Sequence, residues 1–104
     1  MSTSGKDKRS LKINRRDNVA TVLDEINRGQ PVEVQDAGGK KTLLIAKDFI
    51  PFGHKVALED IAQNKNVIKY GASIGSATRP ISVGEHVHVH NLISSRVKGN
   101  IEHG

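Results

Sequence analysis

The sequence predicts an all-β fold in one domain. Short runs in which apolar and polar residues alternate recur along the chain, and Gly, Pro, Asn and Asp punctuate them at turn-like spacing. The apolar stock is aliphatic: hydrophobic residues make up 36% of the chain, with two Phe, one Tyr and no Trp, so a core must be built from Val, Ile, Leu and Ala, which suits small packed strands. At 104 residues the chain has room for one such core, burying roughly 60–65% of its unfolded surface.

Leu11 and Ile13 alternate with polar neighbours, and Asn18 to Val22 comes after the charged turn Arg15-Arg16-Asp17, so two short strands and a hairpin are expected. Asn27-Arg28-Gly29-Gln30-Pro31 is a turn, after which Val32 and Val34 alternate with Glu33 and Gln35 as a half-buried strand does. Asp36-Ala37-Gly38-Gly39 turns again. Lys41 to Ala46 is compact and partly β-branched, which predicts a buried strand, and Phe49 to Gly53 a Pro/Gly loop. His54 to Leu58 reads as a strand and Glu59 to Ala62 as a single helical turn. Val67 to Tyr70, Ile74 to Ala77 and Glu85 to His90 complete the series, with Gly71, Gly75, Pro80 and Gly84 between them. No repeat of 20–50 residues and no heptad is evident.

Composition excludes several functions. The absence of Cys removes disulfides, thiolate metal sites and cysteine nucleophiles, and is compatible with a reducing cytosol, so a cytoplasmic location is expected. The first thirty residues contain no apolar targeting core, and the longest aliphatic run, Leu43 to Ala46, is far short of the roughly 20 residues of a membrane span. The formal charge is +5, but residues 1–16 hold six basic residues against Asp7 alone, and the rest of the chain is balanced. A basic excess confined to residues 1–16, with 3% aromatic residues for base stacking, argues against nucleic acid as a partner. The expected organisation is a flexible basic leader over 1–10, a β domain over 11–91 and a C-terminal arm or linker over 92–104.

Histidine is the chemistry-bearing residue type. On an extended strand His86, His88 and His90 share one face while Val87 and Val89 point into the core. His-x-His can present two neutral imidazoles to one divalent ion, with His86 and His88 as ligands and Glu85 or Asp60 completing the shell. The same alternation also describes the solvent side of an edge strand, and both readings stay open. His54, between a Gly-containing loop and an apolar strand, can face a substrate carboxylate or transfer a proton, or satisfy loop backbone groups. Lys69 and Tyr70 offer a cation and the chain's one phenol to an acidic ligand, although Tyr70 could equally anchor a small core. No Ser-His-Asp order, Cys-His pair or paired-carboxylate motif stands out, so hydrolysis by this chain has no support.

Three segments, Asp17-Asn18-Val19-Ala20, Gly53-His54-Lys55-Val56-Ala57-Leu58 and Ile68-Lys69-Tyr70-Gly71-Ala72-Ser73-Ile74-Gly75, together resemble the N-terminal domain of altronate and galactarate dehydratases, and Gly84 to Asn91 resembles the altronate branch. The resemblance covers roughly residues 11 to 91. It implies an SAF domain with a β-clip fold, joined in the family to a much larger catalytic region that acts on sugar acids. This chain stops after the first domain, as a small subunit or an N-terminal piece would. The resemblance implies a larger catalytic dehydratase partner, a sugar-acid substrate, and a divalent metal, iron or manganese, in the assembled enzyme. It raises His54 as a catalytic residue, with Lys55, Lys69 and Tyr70 as substrate-binding residues and His86 and His88 as metal ligands. The expected reaction is β-elimination of water from an aldonate or aldarate. The alternatives are the small subunit of a sulfolactate sulfo-lyase-like enzyme and a non-catalytic sugar-acid-binding module.

Overall fold

The structure, a computed structural model, describes residues 8–94. The described residues form nine strands: β1 (Lys8–Lys12), β2 (Val19–Val22), β3 (Pro31–Asp36), β4 (Lys41–Ile45), β5 (Lys55–Ala57), β6 (Asn66–Lys69), β7 (Ala72–Ala77), β8 (His86–Val87) and β9 (Leu92–Ser94). They form a six-stranded sheet in the order β4-β3-β1-β2-β5-β8 and a three-stranded sheet in the order β6-β7-β9. The β1–β3 pair is parallel and the other pairs are antiparallel. No helix occurs among the described residues, so none is present there to cross a membrane. Ordered strands run past the 11–91 span at both ends, because Lys8 pairs with Val32 and Leu92 with Ala77. Residues 1–7 of the expected leader and 95–104 of the expected arm lie outside the described residues.

One backbone device occurs four times. Ile26-Asn27-Arg28-Gly29, Ile50-Pro51-Phe52-Gly53, Ile61-Ala62-Gln63-Asn64 and Ile81-Ser82-Val83-Gly84 each begin with a buried Ile and end on a residue of positive φ (90°, 83°, 72° and 93°). The four associate in two pairs. Ile26 and Ile50 exchange both backbone hydrogen bonds, as do Ile61 and Ile81, all at 2.8–2.9 Å. Each positive-φ residue donates its N–H to the carbonyl four residues before the partner isoleucine: Gly29 to Ala46, Gly53 to Val22, Asn64 to Ala77 and Gly84 to Ala57. The positions obey no fixed spacing, so no sequence period announces them.

Each pair centres one half of the core. Ile26 and Ile50 pack with Ala20, Val22, Val32, Val34, Ala46 and Val56, and Ile61 and Ile81 with Val19, Ala57, Val67, Ala77 and Val87. Burying each isoleucine contributes about 1.5–3 kcal/mol relative to exposure. Neighbours Val19 and Ala20 point to opposite faces of β2, as do Val56 and Ala57 of β5, so the central strands serve both halves. Asp17 and Asn18 tie the second sheet to β2. Asn18 Oδ1 accepts from Ile68 N at 2.7 Å, Asn18 Nδ2 donates to the Asn66 carbonyl, and Asp17 Oδ1 accepts from Gly71 N at 2.8 Å.

Three expectations are corrected. The run from Lys41 to Ala46 is not a buried strand: β4 is the sheet edge, Leu43 and Ile45 are 65% and 56% exposed, and only Ala46, just past the strand, is buried. Glu59 to Ala62 is not a helical turn, because the backbone groups of Ile61 are committed to Ile81, leaving none for an i, i+4 ladder. The strand expected over Glu85 to His90 ends at Val87; His88 to Asn91 is a turn, and Val89, expected in the core, is 81% exposed.

Candidate functional site

The site forms where the two halves of the core meet. The Ile50 turn delivers His54, whose N–H donates to the Pro51 carbonyl at 3.0 Å and whose carbonyl accepts from Val22 N at 2.9 Å. The Ile81 turn delivers His86, opposite Val56 in the β5–β8 pair. Its N–H donates to Asp48 Oδ2 at 3.0 Å and its carbonyl accepts from Asn91 Nδ2 at 2.9 Å. Gly84 is required here. A side chain at its positive φ would meet the Ile45 carbonyl, and the Gly84 carbonyl accepts from Lys47 N at 2.8 Å, which draws β4's end against this turn.

Beyond β8, buried Asn91 closes the turn: its Oδ1 accepts from His88 N at 2.9 Å and its backbone N–H donates to the His88 carbonyl at 3.0 Å. This returns the His88 ring to His86 and His54. His54 Nδ1 and His86 Nε2 are 3.0 Å apart, a hydrogen bond in which one nitrogen carries the proton and the other accepts it. The His54–His88 and His86–His88 rings are stacked, with centroids 4.4 and 5.5 Å apart, and His90 lies 5.3 Å from His86. One ligand nitrogen from each of His54, His86 and His88 falls within 4.8 Å of the others.

Two of these imidazoles are held below the ordinary histidine range. Burial pushes His86 down to about 4, helped by the charges that His90, His54 and His88 would carry and opposed by the Asp48 carboxylate. His88 is also lowered, by desolvation and then by His54, Lys55 and His90. Lys55, half-buried on β5, is lowered by desolvation and by the nearby Lys69 ammonium. The Lys69 ammonium lies 4.9 Å from the centre of the Tyr70 ring.

The structure therefore brings His54, His86 and His88 together and sets Lys55 electrostatically between His88 and Lys69. Tyr70 is not a core anchor: it is 62% exposed, on a positive-φ turn. Neither expected carboxylate joins the three-imidazole group, because both hold the Ile81 turn. Glu85 Oε1 accepts from Ser82 N and Asp60 Oδ1 from Val83 N. Sequence reasoning missed Asp48 and Asn91. Asp48 sits 38 residues from its partner His86 with no local signal, whereas an Asn ending a His-rich run could have been read as a side chain closing its own turn.

Comparison with known proteins places this geometry in a family. The profile of the altronate/galactarate dehydratase SAF domain matches residues 8–95. Altronate dehydratase of Bacillus subtilis (strain 168) is 41% identical over 81 residues, 78% of this chain but 15% of that protein; the Escherichia coli (strain K12) altronate dehydratase is 44% identical with the same coverage. The chain thus matches only about a seventh of the length of these dehydratases. The (2R)-sulfolactate sulfo-lyase subunit alpha of Chromohalobacter salexigens is 52% identical over 76 residues, covering 72% of this chain and 81% of that subunit. The nine-stranded all-β unit with its histidine cluster belongs to the altronate/galactarate dehydratase SAF-domain family.

Proposed function

We propose that this chain is the small component of a lyase that eliminates water from a sugar acid, working beside a larger catalytic chain. The observation that carries the reading is the cluster of His54, His86 and His88 with Lys55 close to His88: imidazoles that can hold or pass a proton, next to a cation that can bind a carboxylate.

In such an elimination a base removes the proton α to the carboxylate, the C–H electrons form the C=C bond, and the β-hydroxyl leaves with its electron pair, protonated to water. Within this chain, His54 and His86 share one proton along a 3.0 Å line, so either ring can receive or release a proton at the cluster's surface. Burial keeps His86 unprotonated at neutral pH, so it offers a neutral imidazole to the cluster. Lys55 and Lys69 hold the acidic end of the substrate, and exposed Tyr70 offers its ring and hydroxyl beside Lys69. The divalent metal expected of the assembled enzyme finds a fitting donor set in His54, His86 and His88, since three imidazoles suit iron better than manganese; it would supply Lewis-acid stabilisation of developing negative charge.

A second reading, with sulfite as the leaving group, is favoured by coverage: a protein named as a lyase subunit alpha matches over 81% of its own length. One experiment separates the two. The full chain is used to recover its partner from the native host, and the complex is assayed on altronate, galactarate and sulfolactate. Dehydration by the complex but not by either chain alone is expected, with a marked loss in His54→Ala. Sulfite release without dehydration selects the second reading; a recovered complex inactive on all three acids overturns both.

A further inference from the structure

The chain holds three aromatic residues, and its core uses none of them: Phe49, Phe52 and Tyr70 are all exposed. Single exposed apolar side chains are ordinary on a folded surface, so their positions decide whether they carry meaning. Phe49 follows Asp48, whose carboxylate takes the His86 N–H at 3.0 Å. Phe52, 69% exposed, stands two residues before His54. Val89, 81% exposed, follows His88, whose ring stacks on His54 at 4.4 Å. Two residues of chain reach at most about 7 Å, so all three apolar side chains are rooted around the histidine cluster. A second exposed apolar pair, Leu43 and Ile45, lies on the edge strand β4 beside the Lys41–Glu33 ion pair.

Charge identifies what covers the group around the histidines. Lys55 lies within electrostatic reach of His88 and of Lys69, and among the described residues neither lysine has a carboxylate within 4.0 Å. A second copy seated here about a two-fold axis would set these lysines against their own copies, and like charges brought together oppose association. A different chain can bring carboxylates instead. We propose that Phe49, Phe52 and Val89 form the docking face for a larger lyase chain, whose surface is apolar opposite these residues and carries carboxylates close enough to offset Lys55 and Lys69. The proposal rests on the reading that such a chain works beside this one, and adds where it sits. Two separate chains are held by surface alone, with no tether to raise their effective concentration, and aromatic side chains are the usual anchors at the centre of such a contact. A chain seated on Val89 also covers the exposed flank of the cluster at His90, 5.3 Å from His86, and shields the histidines from water.

The test uses the full chain and the larger chain recovered from the native host, purified once mass spectrometry has identified it as a lyase chain. Binding is measured by interferometry, and contact by hydroxyl-radical footprinting of the wild-type complex. Phe52→Ser should weaken binding by roughly 30-fold or more, as loss of an interface anchor does, Phe49→Ser and Val89→Ser by smaller factors, and Leu43→Ser by less than about 5-fold. In the footprint Phe49 and Phe52 should be protected while Leu43 and Ile45 stay reactive, which keeps the proposal testable if a variant fails to fold. Protection of Leu43 and Ile45 in place of the two phenylalanines would overturn it. So would self-association of the wild-type chain that Phe52→Ser abolishes, because a second copy would then occupy this face. A complex with protected phenylalanines that is inactive on altronate, galactarate and sulfolactate removes the proposed reaction alone; an active complex in which Phe49 and Phe52 stay as reactive as in the free chain removes this inference alone.

Discussion

The Ile26/Ile50 and Ile61/Ile81 pairs are near copies in backbone and opposites in use. Both exchange two hydrogen bonds through buried isoleucines, and in both the positive-φ residue of each turn donates to the carbonyl four residues before the partner isoleucine. Yet within each pair only one turn leads to a site residue: the Ile50 turn runs into His54 and the Ile81 turn into His86, while the other two run into Gln30 and Lys65. The architecture resides in a four-residue device followed directly by Gln30, His54, Lys65 or Glu85, and the chemistry resides in the histidine found one or two positions after two of the four turns.

If the pairs are equivalent supports, Ile50→Ala and Ile81→Ala should each cost about 2–5 kcal/mol by denaturant unfolding. A cost at Ile81 well below that at Ile50 would break the equivalence and make the second core half the weaker one. The turn-closing glycines sharpen the comparison. Gly53→Ala meets open space and bears only the positive-φ cost, about 1–2 kcal/mol, whereas Gly84→Ala also drives a methyl at the Ile45 carbonyl and should cost more, about 2–4 kcal/mol. Equal costs would mean that the Ile45 contact is dispensable. Asn91→Ala should cost about 1–3 kcal/mol and separate His88 from His86, visible as changed imidazole resonances, because buried donors and acceptors lose their partner.

Smaller effects concern charge and backbone entropy. The His86 pKa is lowered from 6.5 to about 4, so between these values the unfolded chain binds more protons than the folded one. Stability should be full above about pH 6.5 and fall as pH drops toward 4, and His86→Gln should flatten that slope in a series of unfolding curves. The effect is modest because the ring is only partly buried. Asn64 is the one closing residue of the four that is not glycine; Asn64→Gly should change stability by under about 1 kcal/mol, since Asn tolerates positive φ.

Much of the fold was legible in the residues. The alternation of Val32 and Val34 with Glu33 and Gln35 does place the valines inside, and the aromatic residues Phe49, Phe52 and Tyr70 all lie exposed around an aliphatic core. What misled was local pattern without knowledge of neighbours. Leu43 and Ile45 look buried by composition, but β4 has a strand on one side only. His86, His88 and His90 look like a ladder by alternation, but the strand ends at Val87, and a turn rather than a pleat brings His88 back to His86.

Residue type and order by themselves determined that this chain makes short strands around an aliphatic core, and that histidine would carry any chemistry, because turn residues and two-residue periodicity act over a few positions. Only the tertiary structure decided that His54 joins His86 and His88, that Asp48 and Asn91 hold them, and that Lys55 comes within electrostatic reach of His88 and Lys69. Those contacts cross up to 38 residues of chain: the Ile50 and Ile81 turns pair with Ile26 and Ile61 rather than with each other, and their histidines meet beside the β5–β8 pair, which no local propensity encodes.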